Sequence, residues 1–188
     1  MTTLVYIHGA NATSTSWNYI CDNIGQGIMI DYSSARGFRN NLNDMIAQLT
    51  PYEDFIFIGH SLGGIYSLHL ANHFKSKTKC GITISTPYGG YKTPRLFRWL
   101  SQWYQLLNDV NPDSWPISSS KNIQISWPWA NIVTQSGAVP WILEPNDGVV
   151  SIASQCARLD MSLINLGCNH YEVVLDPRTV NIIKHYIN

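Results

Sequence analysis

One serine of this 188-residue chain lies in a setting that could make its hydroxyl a nucleophile. Ser61 is the centre of the G-x-S-x-G motif at 59–63, which follows the apolar run Phe55–Ile58 and precedes a segment with helical spacing. Such a motif between a strand and a helix predicts a strained turn that exposes the hydroxyl, with small residues where the backbone folds tightly. The amide of Leu62, at the positive end of the helix, could then donate to an oxyanion. The motif therefore predicts acyl transfer through Ser61, the alternative being an ordinary turn.

The elements that would position this serine alternate between apolar runs and segments of helical period. This alternation predicts an α/β fold with a central, mostly parallel sheet of about six strands and helices on both faces. The predicted strands are Thr3–His8, Gly27–Tyr32, Asp54–Ile58, Cys80–Ser85, Ala130–Gln135 and Met161–Leu166. The predicted helices are Ser16–Ile24, Phe38–Leu49, Leu62–Phe74, Thr93–Val110, Val150–Ala157 and Arg178–Ile187.

In this setting the motif resembles the nucleophile turn of the α/β-hydrolase superfamily. More narrowly it is similar to that of small bacterial lipases and esterases, which reads Gly-His-Ser-x-Gly-Gly, and the resemblance covers most of the chain. It implies the α/β-hydrolase fold and a second oxyanion donor, the amide that follows a His-Gly pair at the end of the first strand. Here that amide belongs to Ala10. The resemblance makes His8 a structural residue rather than a base, and Asn11 is an additional candidate donor.

A serine nucleophile needs a histidine base, and the chain has six histidines. His170 lies in the loop after the last predicted strand, where the superfamily's chain order of serine, acid and histidine places the base. His60 belongs to the serine motif itself. His69 and His73 lie on the helix after the motif, but without a carboxylate at a supporting spacing or an H-E-x-x-H motif they do not favour a metal site. His185, in the last predicted helix, is expected at the surface.

The base needs a carboxylate that fixes its tautomer, and the chain order places this acid between residues 61 and 170. We favour Asp147, because Pro145–Ser151 is a turn sequence and the small lipases carry a similar Asp-Gly-x-Val run at their acid. Glu144 is the second choice. Asp160 lies at the amino end of the last predicted strand, on the wrong side of the sheet. The alternative is that Asp147 and Gly148 only form a turn and that Asp147 has no catalytic role. The candidates considered are Asp109, Asp113, Glu144, Asp147 and Asp160.

Tryptophan and proline concentrate in one part of the chain, between Tyr88 and Trp141. We expect a single domain over residues 1–188, with an aromatic cap or lid insertion at about 88–130. The predicted helix Thr93–Val110 in this insertion has an apolar stripe along one side. This side would either cover an acyl-chain groove or pack on the sheet as in an ordinary helix. The proline-rich stretch Asn111–Trp129 favours a pocket wall. The stripe consists of Leu96, Leu100, Trp103 and Leu107, widened by Phe97 and Tyr104.

Composition excludes several other classes of protein. Twelve Lys and Arg balance twelve Asp and Glu, so no net charge favours nucleic-acid binding, and 45% apolar residues exclude disorder. We expect a soluble protein, because no run of about 20 apolar residues is present. A start without a signal-peptide pattern predicts a cytoplasmic location. The four cysteines lack C-x-x-C spacing and are expected to be buried free thiols, with a Cys156–Cys168 disulfide as the alternative.

Together these observations predict a serine hydrolase, an esterase or lipase, in which Ser61, Asp147 and His170 form the triad and Ala10 and Leu62 the oxyanion hole. No cofactor is implied. The expected substrate is a small-molecule ester with an apolar acyl or alcohol part, since the chain offers few fixed charges, and transient contact with a lipid surface is expected. A thioesterase or acyltransferase using the same triad remains an alternative, as does a non-catalytic ligand-binding α/β-hydrolase.

Overall fold

A six-stranded sheet forms the centre of the protein. The structure is a computed structural model that describes residues 2–91, 105–140 and 142–187. The strands are β1 (Thr3–Ile7), β2 (Ile28–Ile30), β3 (Phe55–His60), β4 (Thr78–Ile84), β5 (Trp129–Thr134) and β6 (Ser162–Leu166). They are ordered β2-β1-β3-β4-β5-β6, and every pair of neighbours is parallel. All six predicted strands are therefore confirmed, with small shifts at their ends.

Helices cover both faces of the sheet, as the sequence predicted. The described helices are α1 (Asn18–Ile24), α2 (Phe38–Leu49), α3 (Leu62–His73), α4 (Gln105–Asp109), α5 (Trp115–Asn122), α6 (Ile152–Gln155) and α7 (Pro177–Ile187). Alternate residues of a strand point to opposite faces. Val5 and Phe57 accordingly pack with α2 and α3, whereas Tyr6 and Ile58 pack with α1 and α7. None of the described helices is long and apolar enough to cross a membrane.

The region predicted to be an aromatic insertion is described only in part. Residues 92–104, and with them most of the predicted helix Thr93–Val110 and its apolar stripe, lie outside the described residues, and only Gln105–Asp109 is seen as helix. The helix α5 was not predicted, although Ser114 before it and Pro116 in its first turn are typical of a helix start. The serines that follow have low helix propensity and obscured it.

Two tryptophans of this region lie toward the amino ends of the strands. Trp129 is buried in the core, where its ring occupies the space beside Gly81 and its indole N–H donates to Tyr88 Oη at 3.3 Å. The Trp127 indole N–H donates to the Lys75 carbonyl at 3.1 Å, near the amino end of β4. Ser61 follows the carboxyl end of β3. Trp127 therefore lies near the opposite ends of the parallel strands from the serine.

All four cysteines are free thiols, so the alternative of a Cys156–Cys168 disulfide is not formed. Cys21, Cys80 and Cys168 are buried, as expected, whereas Cys156 is only half-buried.

Candidate active site

Ser61 lies at the sharp turn between β3 and α3, with φ 53° and ψ −122°. A non-glycine residue in this region is strained by about 1–3 kcal/mol, so the surrounding structure must hold it there. The Ser61 amide donates to the carbonyl oxygen of Ile84 on the neighbouring strand at 2.8 Å, which fixes the turn to the sheet. The residue is half-buried and follows the carboxyl end of β3.

The two glycines of the motif are required by close backbone approaches. A Cβ at Gly63 would overlap the carbonyl oxygens of Ile7 and His8, at the end of β1. A Cβ at Gly59 would overlap the Gly63 carbonyl and the Ser67 hydroxyl, within the first two turns of α3. The motif therefore lets the turn pack directly against the end of the neighbouring strand.

The loop after β1 lies against Ser61. A Cβ placed on Gly9 would be 3.2 Å from the Ser61 Cβ, so this loop packs closely against the serine. His8 holds the loop, because its buried ring is bonded through Nδ1 to the Gly9 carbonyl at 2.7 Å and through Nε2 to the Tyr32 amide at 3.3 Å. These contacts suit the structural role expected for His8.

The two amides predicted to bind an oxyanion have no other acceptor in the part of the chain that the structure describes. Neither Ala10 N–H, which follows the Gly9 contact, nor Leu62 N–H, at the start of α3, donates to a described protein group. The Asn11 amide differs, because it donates to Ser34 Oγ at 3.2 Å. The backbone of Asn11 is therefore not available as the additional donor that the sequence suggested.

Asp147 and His170 form a buried, directly bonded pair. The His170 Nδ1–H donates to Asp147 Oδ2 at 2.7 Å, and the backbone amide of His170 donates to the Asp147 carbonyl at 3.0 Å. These two bonds connect the loop after β5 with the loop after β6. With Nδ1 as the donor, the neutral imidazole keeps its basic lone pair on Nε2, which is the tautomer that a general base needs.

The Asp147 carboxylate is saturated with hydrogen-bond donors. Thr134 Oγ1 donates to Oδ2 at 2.6 Å and Gln155 Nε2 at 3.1 Å, while the amides of Val149 and Val150 donate to Oδ1 at 2.9 and 2.7 Å. Burial raises the pKa of Asp147, but the hydrogen bond and charge of His170, with the bonds from Thr134 and Val150, outweigh burial and hold this pKa below its ordinary value. The carboxylate is therefore ionised at neutral pH.

The donors around Asp147 were not found from the sequence. Thr134 is the last residue of β5, and its hydroxyl also bonds to Ser85 Oγ at 2.7 Å. Gln155, fully buried at the end of α6, accepts from the Thr134 amide at 2.9 Å and donates to the Thr134 carbonyl at 3.1 Å. Thr134 and Gln155 lie 13 and 8 positions from Asp147, and no local motif connects them with it.

His60 connects the serine turn to the base. Its ring nitrogen Nε2 lies 2.9 Å from the His170 carbonyl oxygen, and the two rings are 4.8 Å apart. Burial, followed by the neighbouring His170, lowers the pKa of His60 to about 3, so this ring is neutral. Among the described residues, the Ser61 hydroxyl has no hydrogen bond to His170. The structure thus brings His170 beside the residue preceding Ser61.

The remaining candidates lie elsewhere. Glu144 is exposed, and Asp160 is bonded to Arg158 Nε at 3.0 Å. The carboxylate of Asp109 accepts from Gln105 at 3.0 Å, and Asp113 is exposed. The buried ring of His69 is bonded to the Pro116 carbonyl at 3.0 Å, whereas His73 and His185 are exposed. Within the described ranges no three His, Cys, Asp or Glu side chains are grouped to hold a metal ion.

A cleft of about 510 Å³ lies between the segment after β4 and the loop that carries Asp147. It is lined by both backbone and apolar side chains, among them Gly90, Tyr91, Ile142 and Leu143, with Glu144 contributing a charge. The Leu143 side chain is 98% exposed, which places an apolar group at an open edge of this loop.

Comparisons with known proteins identify the fold. No family model and no curated protein matches the sequence. Solved structures do match: an α/β superfamily hydrolase from Oenococcus oeni PSU-1 is 15% identical, with a TM-score of 0.65, over 97% of this chain and 90% of its own. The mature lipase BlEst2 from Bacillus licheniformis is 16% identical, with a TM-score of 0.68, over 97% and 90%.

A lipase-esterase related protein from Clostridium acetobutylicum ATCC 824 is 14% identical, with a TM-score of 0.68, over 98% of this chain and 94% of its own. These likenesses extend over nearly the whole length of both proteins in each pair. The chain therefore has the α/β-hydrolase fold, as the resemblance of its serine motif predicted.

Proposed function

We propose that this protein is a serine hydrolase that cleaves carboxylic esters, as an esterase or lipase. In this proposal Ser61 is the nucleophile, His170 the general base and Asp147 the acid that orients it. The observation that carries the proposal is the buried 2.7 Å bond from His170 Nδ1 to Asp147, next to a serine held in a strained turn. A nucleophile, a base and an orienting acid in the loops that follow β3, β6 and β5 of one parallel sheet are what acyl transfer requires.

The first half of the reaction would acylate the serine. His170 Nε2 takes the hydroxyl proton as Ser61 Oγ attacks the ester carbonyl carbon, and the amides of Ala10 and Leu62 donate to the oxyanion. Collapse of this intermediate breaks the bond to the alcohol oxygen, which receives the proton from His170. Asp147 stays ionised throughout and stabilises the imidazolium.

The second half would release the acid. Water attacks the acyl-enzyme carbonyl while His170 Nε2 takes its proton, and the tetrahedral intermediate again accepts hydrogen bonds from the same two amides. Its collapse breaks the bond to Ser61 Oγ, which recovers its proton from His170. The carboxylic acid leaves, and the resting site is restored without any cofactor.

The proposed substrate is an ester with an apolar acyl or alcohol part. Tyr91, Ile142 and Leu143 give the cleft beside the acid loop an apolar lining, which suits a hydrocarbon group. The exposed side chains of Leu143 and Tyr171, on the loops after β5 and β6, would contact a lipid surface or a bulky alcohol. The lipase and lipase-esterase names of two structural neighbours support the same class of substrate.

The test is a hydrolysis series of p-nitrophenyl esters of increasing acyl length, with wild-type protein, Ser61→Ala and the control Ser126→Ala. Ser126 is an exposed serine before β5. We expect Ser61→Ala to lose at least about 10³-fold in kcat/KM, and Ser126→Ala to hydrolyse the esters like the wild type. A fluorophosphonate probe should label the wild type and Ser126→Ala but not Ser61→Ala.

The outcomes separate the alternatives. An optimum at short acyl chains indicates an esterase, and an optimum at long chains a lipase. A preference for acyl thioesters over matched oxygen esters would replace the ester proposal with a thioesterase. Absence of both hydrolysis and labelling in the wild type would contradict enzymatic function and leave a ligand-binding protein.

A further inference from the structure

His170 is held by three hydrogen bonds, which come from two different directions. Two of them, from its Nδ1–H and its backbone amide, reach Asp147 and fix the imidazole relative to the acid. The third is accepted by its carbonyl oxygen from His60, at 2.9 Å. Because His60 is the residue before Ser61, this third bond fixes the base relative to the nucleophile.

The identity of the donor in this third bond is set by chemistry. A carbonyl oxygen only accepts hydrogen bonds, so Nε2 of His60 must carry the proton. The ring is buried and neutral, and a neutral imidazole with its proton on Nε2 has a bare Nδ1. The bond is thus a defined N–H···O contact in a buried site, where hydrogen bonds are strong.

The position of the ring is also fixed from its other side. A Cβ on Gly9 would lie 3.1 Å from His60 Nδ1, so the loop that carries Ala10 packs against the Nδ1 side of the ring, whereas Nε2 bonds to His170. The His60 side chain therefore lies between the loop of the predicted oxyanion donor and the loop of the predicted base. It contacts both and is covalently next to the nucleophile.

We propose that His60 is a positioning residue, which sets the distance between the base and the nucleophile through the bond from its Nε2–H to the His170 carbonyl. This inference rests on the proposed function, in which His170 Nε2 takes the Ser61 proton. A misplacement of about 1 Å in such a pair can cost about 100-fold in rate. The effect belongs to kcat, since His60 is buried and does not face the substrate.

The test compares two variants of nearly equal size, His60→Gln and His60→Met. Gln keeps an N–H close to the position of Nε2, whereas Met fills the space without a donor. We expect His60→Met to lower kcat about 10- to 100-fold with KM within about twofold, and His60→Gln to recover most of the loss. The matched control is His69→Met, which removes the same kind of bond, from a buried histidine to the Pro116 carbonyl, away from the triad.

A readout that needs no turnover separates this inference from the proposed function. In ¹⁵N-histidine-labelled protein, the proton between His170 Nδ1 and Asp147 should give a resolved low-field NMR signal, which shifts or broadens in His60→Met but not in His69→Met. If the wild type hydrolyses no ester, the proposed function fails, while this comparison still tests whether His60 positions His170.

Several results would overturn the inference. One is equal loss of kcat in His60→Met and His69→Met, and another is a His60→Gln variant no better than His60→Met. An unchanged low-field signal in His60→Met is a third. The wild type alone gives a fourth, whether or not the variants fold: ¹⁵N shifts that place the His60 proton on Nδ1 would remove the proposed donor.

Discussion

At the scale of single residues, Asp147 is surrounded by donors on both carboxylate oxygens. Oδ2 accepts from His170, Thr134 and Gln155, and Oδ1 accepts from two backbone amides. An asparagine has one oxygen and one amino group in the same space. In either orientation its N–H groups would face donors, so the site accepts a carboxylate and rejects its neutral isostere.

Asp147→Asn should therefore disable the site while the fold persists. With an amino group against its Nδ1–H, His170 would change tautomer or rotate, and we expect kcat/KM on p-nitrophenyl acetate to fall on the order of 10³–10⁴-fold. Urea unfolding should show a loss of roughly 1–3 kcal/mol. Glu144→Gln is the control, because this exposed carboxylate was the second choice for the acid. A larger loss of activity in Glu144→Gln than in Asp147→Asn would refute the assignment of the acid.

At the scale of elements, the serine turn and the end of β1 form one packed unit. Gly63, in the first turn of α3, contacts the backbone carbonyls of Ile7 and His8, which cannot rotate away as a flexible side chain could. The same stretch of β1 continues into the Gly9–Ala10 loop against the serine. A change in the first turn of α3 is therefore transmitted to the predicted oxyanion donor.

Gly63→Ala should accordingly reduce both stability and activity. We expect a loss of about 3 kcal/mol in urea unfolding, at the upper end of what overpacking usually costs, with a fall in kcat as the β1 loop is displaced. Gly167→Ala is the matched control, because the nearest atom that its Cβ would meet is Ser136 Oγ at 4.0 Å. It should stay within about 0.5 kcal/mol of the wild type. Equal stability of the two variants would show that the close approach at Gly63 is relieved without cost.

The same elements show what sequence could and could not predict. The strands could be predicted from their apolar character, since buried parallel strands are nearly continuous apolar runs, and β3 is the clearest example. The serine, acid and base candidates were chosen because their residue types occur in local turn patterns. The hydrogen bonds of Thr134 and Gln155 to Asp147 could not be predicted, since the fold brings together residues with no shared local pattern. The bond from His60 to His170 spans 110 positions and was missed for the same reason.

At the scale of the whole molecule, three of the four cysteines share one apolar cluster and the fourth lies outside it. Cys21, Cys80 and Cys168 belong to the apolar cluster between the sheet and the α1 and α7 face, whereas Cys156 lies at the end of α6 and is half-buried. Burial raises the pKa of the Cys80 thiol to about 11, and it also raises the pKa of the other three. Since the thiolate is the reactive form, the buried thiols should be both shielded and intrinsically slow.

Thiol labelling should thus report opening of the whole core. With an aromatic disulfide reagent at pH 8 and no reductant, the native protein should react quickly at one thiol at most, and Cys156→Ser should remove that phase. In 8 M urea all four thiols should react, because all are free. The slow native phase should follow the rate of global unfolding, since the three buried thiols share one cluster. Fewer than four thiols in urea would reveal a disulfide, and rapid labelling of two or more in the native protein would mean that the α1 and α7 face opens on its own.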